Sequence, residues 1–208
     1  HQNIISDLTD EHSASQTMAN LKHLKKILNL KNIPYCLEAY DVSNIQGKYA
    51  VGALVVFENG QPEKSGYRRF KIKTVHQISD VDMLAEIIAR RFKKHNHNAR
   101  TKHCLVPARI TNTEMPDFIL LDGGRPQLNT IVKTLQKINP QILAKVDIAA
   151  LAKKEEMLYL WPKQKNQISL KPDFNLLIQA RNEAHRFAIA YYRLKHSQKT
   201  VQQRKQSG

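Results

Sequence analysis

The run of eight apolar residues from Ala50 to Phe57 limits the possible folds of this chain more than any other segment. Its length and its β-branched residues predict a central strand, and it is far too short to cross a membrane as a helix. The turn sequence Glu58-Asn59-Gly60 follows, with glycine where a tight turn requires positive φ. The chain is therefore expected to contain a sheet with this run near its centre.

The spacing of apolar residues predicts further strands and helices. Besides 50–57, strands are predicted over 37–42, 67–73, 118–122 and 146–151, with a hairpin over 157–161 and 167–170. Amphipathic helices are predicted over 15–30, 79–92 and 126–139, and a last helix begins near Pro172 with Asp173 as its cap. Residues 1–14, the polar loop 93–116 and the basic stretch after Arg193 are expected to lack regular structure.

The order of these elements predicts an α/β fold. Short loops join the first three strands, which favours an antiparallel meander, and right-handed crossovers then add parallel strands. The expected result is a mixed five-stranded sheet, with an antiparallel meander plus parallel strands, flanked by helices. We expect an N-terminal flanking helix and linker over 1–33, the main domain over 34–195 and a basic tail or linker over 196–208.

The net charge of +15 points to a polyanionic partner. The chain has 33 Lys and Arg residues against 18 Asp and Glu residues, and nucleic acid is the commonest partner of such a surface. A basic but merely solvated surface is the alternative. No run approaches the length of a membrane span, so we expect no membrane partner.

The cysteine content and the first residue of the chain give two further expectations. Because Cys36 and Cys104 are the only two cysteines, we expect no disulfide framework and a cytoplasmic location. The chain begins with His1 rather than Met, so we expect a piece of a longer protein.

Two aspartates close predicted strands, and a histidine lies in the last predicted helix. Asp41 follows the apolar run 37–40 and Asp122 follows 118–121, where desolvation would protonate a carboxyl group unless a cation or several donors compensate. If the fourth strand pairs beside the first, both aspartates emerge at one edge of the sheet. We interpret them, with His185, as one active site. The alternatives are turn formation for the aspartates and a hydrogen bond to a neighbour for the histidine.

Five separated segments carry a resemblance to one known family. They read YDVSN at 40–44, VVFENG at 55–60, YRRF at 67–70, LDGGRPQL at 121–128 and EAHRFA at 183–188. In this order, from about Cys36 to Lys195, they resemble the C-terminal endonuclease half of the UvrC family, a component of the ABC excinuclease. The resemblance implies a ribonuclease-H-like domain that makes the 5′ incision in damaged DNA during nucleotide excision repair. It also implies UvrB, and through it the UvrA-UvrB-UvrC system, as partner.

The same resemblance implies a divalent metal held by Asp41, Asp122 and His185, which are also the expected catalytic residues. A further acid is expected in the segment 79–82, where Asp80 fits best and Asp82 is the alternative. Asp80 also suits a helix N-terminus, where an acid stabilises by roughly 0.3–1 kcal/mol. Carboxylate oxygens favour Mg²⁺ or Mn²⁺ over zinc. His185 can serve as a metal ligand or as a proton shuttle.

Basic residues near these segments are candidate DNA contacts, and they are Arg69, Arg125, Lys153, Arg181 and Arg186. A solvated charge run is the alternative for Lys153, a salt bridge to Glu183 for Arg186, and protection of an edge strand for Arg69. The sequence departs from the family pattern at Asn182, where Asp is usual.

Three alternatives remain open. The first is a non-catalytic DNA-binding scaffold of the same family, and the second is a free-standing nuclease outside repair. In a third, His95, His97, His103 and Cys104 bind zinc, although their spacing is irregular. A monomer is expected in each case.

Overall fold

The apolar run 50–57 lies within an interior strand of a mixed sheet. The computed structural model describes residues 2–45, 49–73, 79–93, 115–152, 157–162, 164–167 and 172–206. The strands in these ranges are β1 (Cys36–Ile45), β2 (Tyr49–Glu58), β3 (Gln61–Pro62), β4 (Arg68–Lys71), β5 (Phe118–Asp122), β6 (Asp147–Ala152), β7 (Met157–Leu160) and β8 (Gln164–Gln167). The α-helices there are α1 (Gln2–Leu28), α2 (Asp80–Lys93), α3 (Arg125–Ile138), α4 (Gln141–Lys145) and α5 (Asn175–Gln206).

The sheet combines an antiparallel meander with parallel strands, as predicted. Its order is β3-β2-β1-β5-β6-β7-β8, and β4 also pairs with β2. Strand β1 is antiparallel to β2 and parallel to β5, and β5 is parallel to β6. The sheet is larger than the expected five strands because the predicted hairpin continues it beyond β6, and because Gln61–Pro62 forms a short strand of its own.

Side chains alternate along the strands and form a buried cluster on each face of the sheet. On one face, Tyr40 and Ile119 pack with the apolar stripes of α2 and α3. On the other face, Leu37 and Leu120 pack with α1 and α5. Fully burying one such side chain contributes roughly 1.5–3 kcal/mol, so the two clusters fix the face that each strand residue takes. Asp41 follows Tyr40 and therefore belongs to the face covered by α5.

Both terminal helices are longer than predicted. Helix α1 begins at Gln2 instead of residue 15, and α5 continues to Gln206 through the expected tail. Where side chains are described, the buried residues of these helices lie within 21–28 and 177–188. The α5 extension is polar but rich in Lys, Gln and Arg, which have good helix propensity, and a search for apolar periodicity does not detect it.

Two local boundaries also differ from the predictions, and one short helix was not predicted. Helix α5 begins at Asn175, after a 3₁₀ turn at Pro172–Phe174 in which Asp173 Oδ1 lies 3.2 Å from His23 Nε2. The helix predicted over 126–139 ends as expected, but Pro140 then starts the short helix α4. The second hairpin strand lies at Gln164–Gln167, earlier than the predicted 167–170.

No disulfide framework was expected from two cysteines, but Cys36 at the start of β1 is disulfide-bonded. The other cysteine, Cys104, lies outside the described residues, as do Lys153, residues 94–114 of the polar loop and the histidines proposed as zinc ligands. Among the described residues, every helix is too short or too polar to span a bilayer.

Candidate active site

Asp41, Asp122 and His185 meet at one end of the sheet. Asp41 lies in β1, and Asp122 ends the parallel neighbour β5, one position beyond the Tyr40–Leu121 pair. One side-chain ligand atom of each of the three residues lies within 4.8 Å of the other two. In the part of the chain that the structure describes, no other group of His, Cys, Asp and Glu side chains converges in this way.

Local sequence explains how each of these side chains is placed. Gly123 has a φ of +148°, which L side chains rarely adopt, and this lets the chain turn from Asp122 into α3. Ala184 and Ala188 are fully buried, so α5 lies close against the sheet. His185 projects from the flank of α5, where its Nδ1 lies 3.2 Å from Asp41 Oδ2. The His185 side chain is 49% exposed and that of Asp41 only 7%, so the site opens from a buried carboxylate towards solvent.

The electrostatics of the site favour a bound cation. Burial, and to a smaller extent the nearby charge of Asp122, raise the pKa of Asp41 to about 6, although His185 and the Val42 amide oppose the shift. Two carboxylates in a partly desolvated site repel each other unless a positive charge lies between them. Two carboxylate oxygens and an imidazole nitrogen within reach of one point suit a divalent metal ion.

The additional acid proposed from the sequence lies at the start of α2. Asp80 is the first residue of this helix and is exposed, while the Ser79 hydroxyl accepts a hydrogen bond from the Asp82 amide at 3.2 Å. Neither aspartate belongs to the converging group. An acid in the first turn of a helix also interacts favourably with the helix dipole.

Two of the arginines predicted to contact DNA lie on α5 beside His185. The Arg186 guanidinium donates to both carboxylate oxygens of Glu183, at 2.6 and 2.7 Å, which is the alternative considered for it from the sequence. The Arg181 guanidinium donates to Asn182 Oδ1 at 2.8 Å. Arg181 lies one turn before His185 and on the same flank of the helix.

The other two described arginines that were predicted to contact DNA, Arg69 and Arg125, lie against aromatic rings. The Arg69 guanidinium lies 4.4 Å from the Phe187 ring centre and 5.0 Å from that of Tyr191, both on α5. Arg125, at the start of α3, lies 5.2 Å from the ring centre of Tyr159. Such cation–π contacts hold a guanidinium in place while leaving its edge available to a phosphate.

A buried ion pair on the opposite face of β1 was not predicted from the sequence. Glu38 is 1% exposed, and its carboxylate accepts hydrogen bonds from Arg91 in α2 and from the Tyr40 hydroxyl. A glutamate inside the buried strand 37–42 was the available signal, because such a side chain requires a partner. Nothing in the local sequence identified Arg91 as that partner.

Comparison with known proteins identifies the family to which the chain belongs. The family model described as the UvrC RNAse H endonuclease domain matches residues 25–189. The UvrABC system protein C of Dictyoglomus thermophilum is 39% identical over 204 residues, covering 95% of this chain and 31% of that protein. The same protein of Methanosphaera stadtmanae is 42% identical over 178 residues, covering 82% of this chain and 27% of that protein.

The chain thus spans less than a third of the length of these curated relatives. Among solved structures, Ciona intestinalis endonuclease V in complex with an inosine-containing 24mer DNA is 17% identical. The match has a TM-score of 0.35 and covers 57% of this chain and 46% of that one, which is too distant to bear on activity. The match over 25–189 and the relatives at 39% and 42% identity together show that the chain belongs to the UvrC RNase H endonuclease domain family.

Proposed function

We propose that this chain is a metal-dependent DNA endonuclease domain that makes the 5′ incision in damaged DNA during nucleotide excision repair. The observation that carries the proposal is the convergence of Asp41, Asp122 and His185 in a chain of the UvrC family. Its partners are then DNA containing a lesion and UvrB, within the UvrA-UvrB-UvrC system. The proposed location is the cytoplasm, and the proposed state is a monomer.

Mg²⁺ or Mn²⁺ held by Asp41, Asp122 and His185 would supply an activated water and would neutralise charge on the scissile phosphate. Asp41 is fixed by its place in β1 and by its contact with His185, so it can orient bound groups with little loss of entropy. Asp122 is half-buried and Asp41 is buried, so Asp122 is the more accessible of the two carboxylates. As the alternative to holding the metal, His185 can accept or donate a proton at Nε2 while Nδ1 faces Asp41.

The basic residues around the site are proposed to bind the DNA backbone. Arg181 is the favoured phosphate contact, because it shares the flank of His185 on α5. Arg69 and Arg125 are held on aromatic rings and exposed, so they can bind phosphate without first being ordered. Arg186 and Lys153 complete the proposed set. Arg186 also forms an ion pair with Glu183, which reduces the charge that it presents to a phosphate.

Two further assignments remain proposals. Asp80 is proposed as an additional catalytic acid, with Asp82 as the alternative. We also keep the division into a flanking helix and linker over 1–33, a nuclease domain over 34–195 and a basic tail or linker over 196–208. The burial of Leu24 and Leu28 in the α5-side cluster shows that the end of α1 packs on the same sheet.

The proposed function is tested by incision of lesion-containing DNA in a reaction reconstituted with UvrA, UvrB and the protein that contains this chain. The Asp122→Asn variant is expected to lose the 5′ cut, because it keeps the shape of the side chain and removes its charge. Circular dichroism should show an unchanged fold. Incision at the wild-type rate by a folded Asp122→Asn variant would refute the proposal.

Metal binding should stabilise the chain in a pH-dependent way. At about 100 times its Kd, Mn²⁺ should add roughly 2.7 kcal/mol, or about 5–10 °C in Tm. Because the pKa of Asp41 is raised to about 6, protons compete with the ion at lower pH. The Tm increase, measured by differential scanning calorimetry, should therefore be large at pH 8 and small at pH 5.

The matched control for this measurement is the Asp122→Asn variant, in which Mn²⁺ should leave the Tm nearly unchanged at both pH values. Equal Tm increases at pH 5 and pH 8, or a full increase in the variant, would contradict a metal site on these carboxylates. No binding to the wild-type chain at millimolar Mn²⁺ would favour a non-catalytic scaffold.

A further inference from the structure

His185 is held in place by little more than the helix that carries it. Its side chain is 49% exposed, and among the described residues its one hydrogen-bond partner is Asp41, at 3.2 Å. Ala184 and Ala188, which face the sheet, are too small to interlock with the strands beneath. Among the described residues of α5, Leu177 is the one large side chain that is fully buried, and it lies about two turns before His185. Near His185, the alanines therefore fix the distance of α5 from the sheet more than the rotation of the helix.

Contacts on the opposite flank of α5 restrict the rotation of the helix about its axis. The Tyr67 hydroxyl donates to Glu183 Oε1 at 3.1 Å, and the edge of the Tyr67 ring meets the Phe187 ring with 5.1 Å between centroids. Arg69 also contacts this ring, and its guanidinium lies 4.4 Å from the Phe187 centroid. Tyr67 and Arg69 thus contact Glu183 and Phe187, which lie one turn apart on a single flank of the helix.

The geometry of a helix links this flank to the active site. Successive residues are separated by about 100°, so Glu183 and His185 project to opposite sides when Ala184 faces the sheet. A rotation of about 10° moves a side-chain atom about 6 Å from the axis by roughly 1 Å. A displacement of about 1 Å at a catalytic group can cost on the order of 10²-fold in rate.

We propose that Tyr67 and Glu183 are positioning residues: their hydrogen bond, with the packing of Tyr67 and Arg69 on Phe187, fixes the rotation of α5 and thereby places His185 beside Asp41 and Asp122. The inference rests on the proposed function, since it assigns these residues to that same site. Tyr67 and Glu183 lie within two of the segments that resemble the family, yet neither belongs to the converging group.

The test begins with Tyr67→Phe, which removes one hydroxyl and keeps the ring on Phe187. Mn²⁺ affinity, followed from the electron paramagnetic resonance signal of the free ion, should fall roughly 3- to 10-fold, which is less than the full effect of one hydrogen bond to a charged group because only one of the three proposed ligands is displaced. The turnover rate of the incision reaction should fall about 10- to 100-fold, and KM for the UvrB–DNA complex should stay the same.

Two substitutions at Glu183 separate the hydrogen bond from the ion pair with Arg186. Glu183→Gln keeps an oxygen that can accept from Tyr67 and removes the charge, so Mn²⁺ affinity and turnover should stay close to those of the wild-type chain. Glu183→Ala removes the acceptor and should match Tyr67→Phe. If Glu183→Gln were as impaired as Glu183→Ala, the positioning role of this hydrogen bond would be overturned.

A variant on the other face of the sheet controls for a general loss of stability. Val132→Ala in α3 truncates a buried side chain there and should lower the Tm without changing Mn²⁺ affinity. If Tyr67→Phe lowers only the Tm, as Val132→Ala does, its role is structural and the proposal fails. If Tyr67→Phe behaves as wild type while Asp122→Asn is inactive, the positioning proposal alone fails. Incision by Asp122→Asn would instead overturn the proposed function.

Discussion

Replacing Asp41 by Asn is expected to abolish 5′ incision and, at the same time, to make the metal-free chain more stable at pH 8. Losing a charged ligand of the proposed metal site should lower the incision rate about 10³-fold or more, equivalent to roughly 4 kcal/mol. The gain in stability follows from burial, which together with the charge of Asp122 raises the pKa of Asp41 to about 6. Opposite signs for activity and stability are typical of a residue retained for function.

The stability gain should depend on pH in a defined direction. A carboxyl group whose folded-state pKa is raised stabilises the fold when protonated, and this contribution is lost as the pH rises through about 6. The wild-type chain therefore carries an unfavourable charge at pH 8 that the variant lacks. Urea denaturation should show a gain of about 1–3 kcal/mol for Asp41→Asn at pH 8, and a much smaller one at pH 4.

Asp147 provides the matched control, because it is also buried and lies two strands away in β6. Its carboxylate accepts a hydrogen bond from the Lys31 amide at 2.8 Å and lies 3.3 Å from the Lys31 ammonium. Asp147→Asn should therefore lower stability and leave incision nearly unchanged. A loss of stability in Asp41→Asn similar to that in Asp147→Asn would show that Asp41 is structural.

Replacing Arg91 by Met is expected to destabilise the chain by about 3–5 kcal/mol, because it leaves the Glu38 carboxylate buried without its cation. The Arg91 side chain is 9% exposed, and its guanidinium donates to Glu38 Oε1 at 2.8 and 3.2 Å. The Tyr40 hydroxyl also donates to Glu38, but a neutral donor does not balance the charge. The change is measured as the free energy of unfolding in urea at pH 7.

Two further variants isolate the cause. The double variant Arg91→Met with Glu38→Gln removes both charges and should recover most of the loss. Arg90→Met changes the neighbouring arginine, which is 38% exposed and pairs with Glu86, and should cost about 1 kcal/mol or less. Glu86 also accepts hydrogen bonds from the Lys73 amide, so it keeps a donor in that variant. Equal losses for the Arg91 and Arg90 variants would contradict the role of burial.

The sequence predicted the parts of the fold that depend on short-range patterns. Strand β5 was predicted with its observed bounds, Phe118–Asp122, because an apolar run ends there at an aspartate followed by two glycines. Helix α2 was predicted to within one residue, because its apolar residues recur at helical spacing. The polar halves of α1 and α5 were missed because their helicity does not depend on an apolar stripe.

The candidate site was partly predictable for a different reason. Asp41 and Asp122 were predicted because each closes an apolar strand. His185 was predicted because it lies in the segment 183–188, which resembles the family. The relation of the basic residues to α5 was not predictable. Arg69 was expected to face DNA or protect a sheet edge, and its stacking on Phe187 depends on how α5 crosses the sheet.

By itself, the sequence determined most of the elements, their order and the choice of Asp41, Asp122 and His185 as candidate site residues, because runs, periods and motifs are local properties of a chain. The tertiary structure alone decided which groups lost their water and which partners they met. Burial beside Asp122 raised the pKa of Asp41, the crossing of α2 supplied Arg91 to Glu38, and the packing of α5 brought Tyr67 to Glu183. These effects depend on distance and desolvation between residues far apart in the chain, which no local pattern encodes.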